Sequence, residues 1–429
     1  MIKLIKIIIL LMVLVVLLTV GCGSGNIFDA AAGGDIETVK VLLDKDPGAI
    51  RARDGSGYTL LHLASREGHR EVAELLIDRG AAVEERTHDG RALTALHLAA
   101  INNRLETAKL LIEKGAKLDV MTKGEWNALF YASWMGHREM VEFLIQKGAA
   151  VNTVTHYYTT PLRLAVAGGH TDIAGLLLEK GALVDIPGDN TWGPLHTAVY
   201  RGYKDLAELL IKHGANVNRR TSRKRTPLHA IAYWEKEQKE IARLLLENGA
   251  DLDALDSSGD TPLHDAAYGG FRDVTALMLE KGASVKITNR IGETPLALAL
   301  RRGRKSVVQL LLSLHTAAGE GSLAETTSLM KKYPQLINSW DEEGKTPLHH
   351  AVEKERFKIA ERLIDNGAEV NVRCKYQRTQ LLHGVVAKLL VPQVGRVKWE
   401  KYEKTPLDIA VEKGYNRMAQ LLKSHGAIE

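Results

Sequence analysis

"SSGDTPLHDAAYGGFRDVTALMLEKGASVKITN", residues 257–289, holds a histidine, several acids and a glycine pair, any of which could belong to a reactive site. The same phrase returns up and down the chain. Aligned on Thr-Pro-Leu-His, the threonine slot falls at Thr59, Thr94, Asn127, Thr160, Gly193, Thr226, Thr261 and Thr294, then at Thr346 and Thr405. The steps from Thr59 to Thr294 are 35, 33, 33, 33, 33, 35 and 33 residues. A fixed period in this range marks an architecture of stacked repeats.

Each letter of the phrase has a mechanical reading. Gly259 suits a tight turn, Thr261 a helix cap and Pro262 the first helical position. Leu263 and Ala266 face the stack, and the glycine pair Gly269-Gly270 ends the first helix. Val274, Leu277, Met278 and Leu279 supply the apolar side of a second helix, and Gly282 stops it in the left-handed conformation. One such unit has too little core to stand alone, so its neighbours must cover both sides.

In register about ten times over, with a Gly-Ala closing most units, these motifs resemble the ankyrin repeat. The resemblance covers nearly everything after residue 27. It implies an all-α solenoid of about twelve helix-turn-helix units with β-hairpin fingers. It also gives the recurring histidine a structural role: His62, His97, His196, His229, His264 and His349 share one slot, where the imidazole bonds locally and bridges adjacent units. A catalytic histidine is expected once, not at every rung. Phe130, Arg163 and Ala297 occupy the slot elsewhere.

The first stretch reads differently. Lys3 and Lys6 precede an unbroken apolar run from Ile7 to Val20, and "LTVGC" follows, ending at Cys22. The run is short for a membrane span and suits a secretory leader. "LTVGC" resembles a bacterial lipobox, which implies lipidation at Cys22, membrane association and export to the cell envelope. Thr19 departs from the usual Leu or Val of that motif. An uncleaved signal anchor over Ile2–Val20 is the alternative. Residues 1–26 are therefore assigned to an anchor, 27–314 to a first array and 315–429 to a second. The second opens on "HTAAGEGSLAETTSLMKKYPQLINSWDEEG", which repeats the cap-like first unit at residue 28 and follows a unit with no finger. Either the stack turns near Ser313–His315 or it continues past one clipped finger. Thr405 stands 34 residues after Asn371, where eight separate Asn152 from Thr160, so some 26 residues are inserted. This inserted finger is placed at 375–404. It is either a binding segment or a shield for the last repeat.

No catalytic signature stands out: HExxH, GxSxG and the phosphate-binding glycine loop are all missing from the sequence. Only two cysteines occur, Cys22 and Cys374, too few for a disulfide framework or a spaced zinc site. The net charge of +5 over 429 residues is small, without the single strong patch of a nucleic-acid binder. No cofactor, metal, nucleic acid or small-molecule substrate is expected.

A surface remains. The resemblance implies a partner protein along the concave side, made by fingertips and by the exposed ends of first helices. The variable slots there carry Trp126, Trp134, Met135, Trp192, Tyr200, Arg201, Arg225, Tyr233, Trp234 and Tyr268, and the fingertips add Tyr157 and Arg223. Trp, Tyr and Arg dominate interface hot spots. Basic runs at 219–225 and 301–305 flank them, so the partner is expected to carry an apolar patch with an acidic rim. Trp126 and Trp192 also suit packing between fingers. The expected function is a membrane-tethered protein-binding scaffold. The alternatives are an inhibitor or immunity-type protein that occludes a secreted enzyme and, further off, an enzyme whose site the 375–404 insertion builds.

Overall fold

The structure is a computed structural model that describes residues 26–186, 191–233, 238–374 and 404–428. Over these residues the chain runs as twelve helix pairs, beginning with Ile27–Gly33 and Ile36–Lys45 and ending with Pro406–Glu412 and Asn416–Ser424. It divides into two compact units, Met1–Ala182 and Leu183–Glu429. The boundary expected at 314/315 falls inside the second. The Cys22 leader and the 375–403 part of the inserted finger lie outside the described residues.

In the first unit the helices Ile27–Gly33, Leu60–Glu67, Ala95–Ile101, Ala128–Met135 and Pro161–Gly168 pack in series, each carrying its second helix behind it. In the second, Pro194–Arg201, Pro262–Gly269 and Pro295–Arg301 do the same. There the first helix of one pair, Pro227–Tyr233, is a 3₁₀ helix. Leu263, Ala266, Val274, Leu277, Met278 and Leu279 are all buried, as their spacing requires.

The recurring threonine and histidine form one reciprocal cap. The N–H of His264 donates to Thr261 Oγ1 (3.4 Å) and the N–H of Thr261 donates to His264 Nδ1 (3.1 Å). An Nδ1 that accepts leaves the ring proton on Nε2, which donates to the Glu293 carbonyl of the next finger (3.0 Å). His62, His97 and His229 repeat this, reaching Glu85 (2.9 Å), Val120 (2.9 Å) and Asp260 (3.2 Å). Where histidine is missing the cap adapts. Asn127 accepts from Phe130 N (3.1 Å), and Asp408 takes the Thr405 N–H (2.7 Å).

The expected β-hairpins are smaller than a ladder. Among the described residues the fingers are turns closed by one main-chain bond, such as Thr122 N to the Trp126 carbonyl (3.0 Å) and Asp256 N to the Asp260 carbonyl (2.9 Å). A single isolated antiparallel bridge, Arg53–Thr59, is the nearest approach to a strand pair. Five residues per finger are too few to extend the pairing. At this turn Gly259 has φ +78°, and a Cβ there would meet the Arg290 nitrogen of the next finger at 3.0 Å. Gly282 has φ +97° with open space around it. Gly282→Ala is expected to lose about 1 kcal/mol from left-handed strain alone, and Gly259→Ala about 2–3 kcal/mol. Urea midpoints of the two variants check this ordering.

Both irregularities read from the sequence have structural consequences. His349 Nε2 reaches the Lys404 carbonyl (3.3 Å) across 55 residues, where His264 spans 29 to Glu293. Asn371 reaches Gly426 across 55, where Asn338 spans 29 to Gly367. The surplus in both cases is the 26 residues counted above, so the repeat's bonding pattern resumes beyond the insertion. At the clipped unit, helix Lys305–Leu311 passes through Leu312 straight into Ser313–Glu320. Lys286 then pairs with Glu369 (3.2 Å) and lies over the Trp340 ring (5.6 Å), and Lys332 pairs with Glu280 (3.3 Å).

Candidate interaction surface

In the first unit the aromatic slots gather around helix Ala128–Met135. Trp126 stacks on Phe130 (centroids 6.3 Å), meets Tyr131 edge-on (5.2 Å) and lies 6.2 Å from Trp134. Trp126, Trp134 and Met135 are all half-buried, so each presents one side to solvent and one to the repeat. The next finger is more open. Tyr157 is 83% exposed and Tyr158 37%. Glu125 braces that finger by accepting the N–H of His156 (2.7 Å) and bonding its Nδ1.

Backbone conformation singles out the same fingers. The second residue before eight of the caps is left-handed. It is glycine at Gly57, Gly259, Gly292 and Gly344, but Ala92 (φ +60°), Glu125 (+61°), Tyr158 (+55°) and Lys224 (+57°) elsewhere. A side chain in that conformation costs roughly 1–2 kcal/mol.

In the second unit Trp192 meets Tyr200 edge-on at 5.2 Å, and the Arg201 guanidinium lies 5.9 Å from the Tyr200 centroid. All three are half-buried. Arg223 is exposed on its finger. Arg225 is not the surface residue the sequence suggested. Its side chain is 11% exposed and bridges Asp256 (2.9 Å) and Asp265. It is an internal brace, because its slot points toward the following finger and not outward. Burial raises Asp265 above the ordinary carboxylate range; Arg225 opposes this, while Asp260 and Asp256 add to it. Tyr268 is 39% exposed with the Arg302 guanidinium 4.0 Å from its ring centroid. Tyr233 ends the 3₁₀ helix, and Trp234 lies outside the described residues.

A family profile described as "Ankyrin repeats (3 copies)" matches residues 18–87, 82–155, 151–221, 195–289, 228–314 and 286–374. This chain belongs to the ankyrin-repeat family. It is 43% identical over 65 residues to human "Ankyrin repeat domain-containing protein 39", spanning 15% of this chain and 34% of that one. It is 48% identical over 46 residues to the Drosophila melanogaster "Transient receptor potential cation channel subfamily A member 1", spanning 10% of this chain and 4% of that one. The chain thus covers about a third or less of either relative's length. The crystal structure of the human ASB11 ankyrin repeat domain is similar over 53% of this chain and 99% of that one, with 27% identity and a TM-score of 0.47. Ankyrin repeats suggest a protein-binding scaffold.

Two features of these ankyrin units escaped the sequence reading. One is a set of cross-unit braces. His69, His137 and His170 donate to the Ala32, Ile101 and Trp134 carbonyls (2.8, 2.9 and 3.0 Å), and Arg104 and Arg304 to Arg66 and Tyr268 (3.0 and 2.9 Å). They satisfy carbonyls at first-helix ends, which have no partner within their own helix. The recurrence of a His or Arg just after the first helix, at His69, Arg104, His137, His170, Arg304 and Arg356, was the available signal. The other is a cavity of about 580 Å³ between fingers 257–260 and 289–291, over helices Pro262–Gly269 and Pro295–Arg301. Among the described residues no helix is long and apolar enough to cross a membrane, and no group of three or more His, Cys, Asp or Glu is arranged for a metal ion.

Proposed function

We propose that this protein is a non-catalytic, membrane-tethered scaffold that holds a partner protein on the face made by fingertips and first-helix ends. The anchor segment at residues 1–26 supplies the tether, with Cys22 as its lipid acceptor, and Trp126, Trp134, Tyr157, Trp192, Tyr200 and Arg223 supply contacts. The observation that carries the reading is the retention of Glu125, Tyr158 and Lys224 at left-handed positions that folding alone would fill with glycine. Tyr158 stands at one of them, next to the highly exposed Tyr157.

The test is site-specific photocrosslinking of the full chain in intact cells. A crosslinker at Tyr157 should give a discrete adduct, and one at Val41, exposed on the second helix Ile36–Lys45, should not. Tyr158→Gly should leave stability unchanged or raise it by up to about 1 kcal/mol while diminishing the adduct. Equal adducts from both sites, or a Tyr158→Gly variant that still crosslinks fully, would defeat the reading. Wild type should sediment with membranes and Cys22→Ser should not. A soluble wild type removes the tether.

A further inference from the structure

The cavity of the second unit combines three kinds of surface. Its wall is apolar: Ile291 is 62% exposed at the fingertip, Tyr268 is 39% exposed, and Leu298 is buried behind them. A mean pocket for a bound ligand has a volume of roughly 300–1,000 Å³, and this one, at about 580 Å³, is of that size. Its floor is acidic. Asp260 accepts from Asn289 Nδ2 (2.9 Å), and Asp265 is held by Arg225. Its mouth is cationic. Arg290 lines it, and Arg302 stands beside it over the Tyr268 ring; both are exposed, and among the described residues neither has a carboxylate within ion-pair distance. The neighbouring Arg301, by contrast, is paired with Glu293 (3.0 Å). Arg223 and Lys224, on the preceding finger, are also exposed and also lack a carboxylate partner.

From these surfaces we infer that the cavity receives an acidic linear peptide, which inserts one large apolar side chain against Tyr268 and Ile291 and lays its carboxylates on Arg290 and Arg302. The inference rests on the scaffold reading and names the partner's chemistry at one site of it. The wall faces solvent on one side, so the occupant enters laterally and stays partly exposed, as a segment of chain does. The carboxylate oxygens of the floor can accept peptide N–H groups, while the occupant's own carboxylates stay at the basic mouth. Arg302, held over the Tyr268 ring, keeps its charge at the rim and its plane fixed for a bidentate carboxylate contact. Exposed isoleucine beside unneutralised arginine supplies the anchor and the rim of an interface.

The test is selection of a random 12-residue peptide library displayed on phage against the full chain, followed by titration of the enriched peptides. The expected consensus is Asp and Glu flanking one Leu, Ile, Met or Phe. Ile291→Ser, a change at an exposed fingertip that leaves the core untouched, should weaken those peptides at least tenfold. Arg290→Glu with Arg302→Glu should abolish their binding and select Lys- or Arg-flanked peptides instead, a gain that an unfolded variant cannot show. Overturning results are a consensus without acids, enriched peptides that bind Ile291→Ser as tightly as wild type, or a 12-nucleotide single-stranded DNA that binds tighter than any peptide and loses affinity steeply with salt. The photocrosslink at Tyr157 reads the first unit, so failure here with success there sinks the cavity and spares the scaffold.

Discussion

Lowering the pH from 7 to 4 is expected to cost this protein several kcal/mol of stability and to unfold it cooperatively before the pH reaches 4. The cause is the cap histidine. Burial drives the pKa of His62, His97, His229 and His349 down to about 4, and His315 likewise; His264 is lowered by the same burial. The bonding agrees. In the cap rings Nδ1 accepts the threonine N–H, at 3.1 Å in His62 and 3.0 Å in His97, so a second ring proton would face a donor. The unfolded ring titrates near 6.5, so between 6.5 and 4 the unfolded chain binds more protons than the folded one. Stability is therefore complete above about 6.5 and falls as the pH drops toward 4. A single ring shifted to about 4 contributes up to about 3 kcal/mol by the lower end of that window. Asp265 works in the opposite sense, because its raised pKa favours the folded state on acidification, but it is one group against six. Urea midpoints followed by circular dichroism at pH 7, 6, 5 and 4.5 should fall steadily. A flat profile would mean that the rings are charged, or free, in the folded chain.

Phe130→Ala is expected to destabilise the first unit by about 3–5 kcal/mol, the usual range for deleting a buried aromatic ring. Phe130 is fully buried and holds the slot that histidine fills elsewhere. It replaces a polar bridge with packing under Trp126, at 6.3 Å between centroids. Truncation would leave a cavity at the centre of a stack in which each repeat is stabilised by its neighbours. Phe130→Leu keeps most of the volume and should lose only about 1–1.5 kcal/mol. Tryptophan fluorescence should separate the two, since only the alanine variant removes the surface on which Trp126 rests. Equal midpoints for both would show that the slot is not a packing position in this unit.

The repeat, its caps and its irregularities were legible without coordinates. Thr261, Pro262, His264, Gly270 and Gly282 all lie within one unit, and their spacing reports main-chain bonds that close over a few residues. The 26-residue surplus before Thr405 could be counted because the flanking units kept their period, and the bonds His349–Lys404 and Asn371–Gly426 span that same surplus. The interaction surface was legible only in outline. Arg223 and Arg225 are two residues apart on one basic finger, and one faces solvent while the other bridges Asp256 and Asp265. Composition marks both as basic, and alternation along a five-residue turn does not say which points inward.

By itself, then, the order of residues determined the helix pairs, their caps, the number of units and the recurring histidine rungs, because each depends on contacts within a unit or one period away. Tertiary structure alone decided which aromatic side chains stay half open, that Lys286 meets Glu369 across the clipped unit, and that fingers 257–260 and 289–291 enclose a cavity. Those outcomes depend on how far successive fingers stand apart and which way a side chain leaves a turn, and both are settled only when neighbouring units pack.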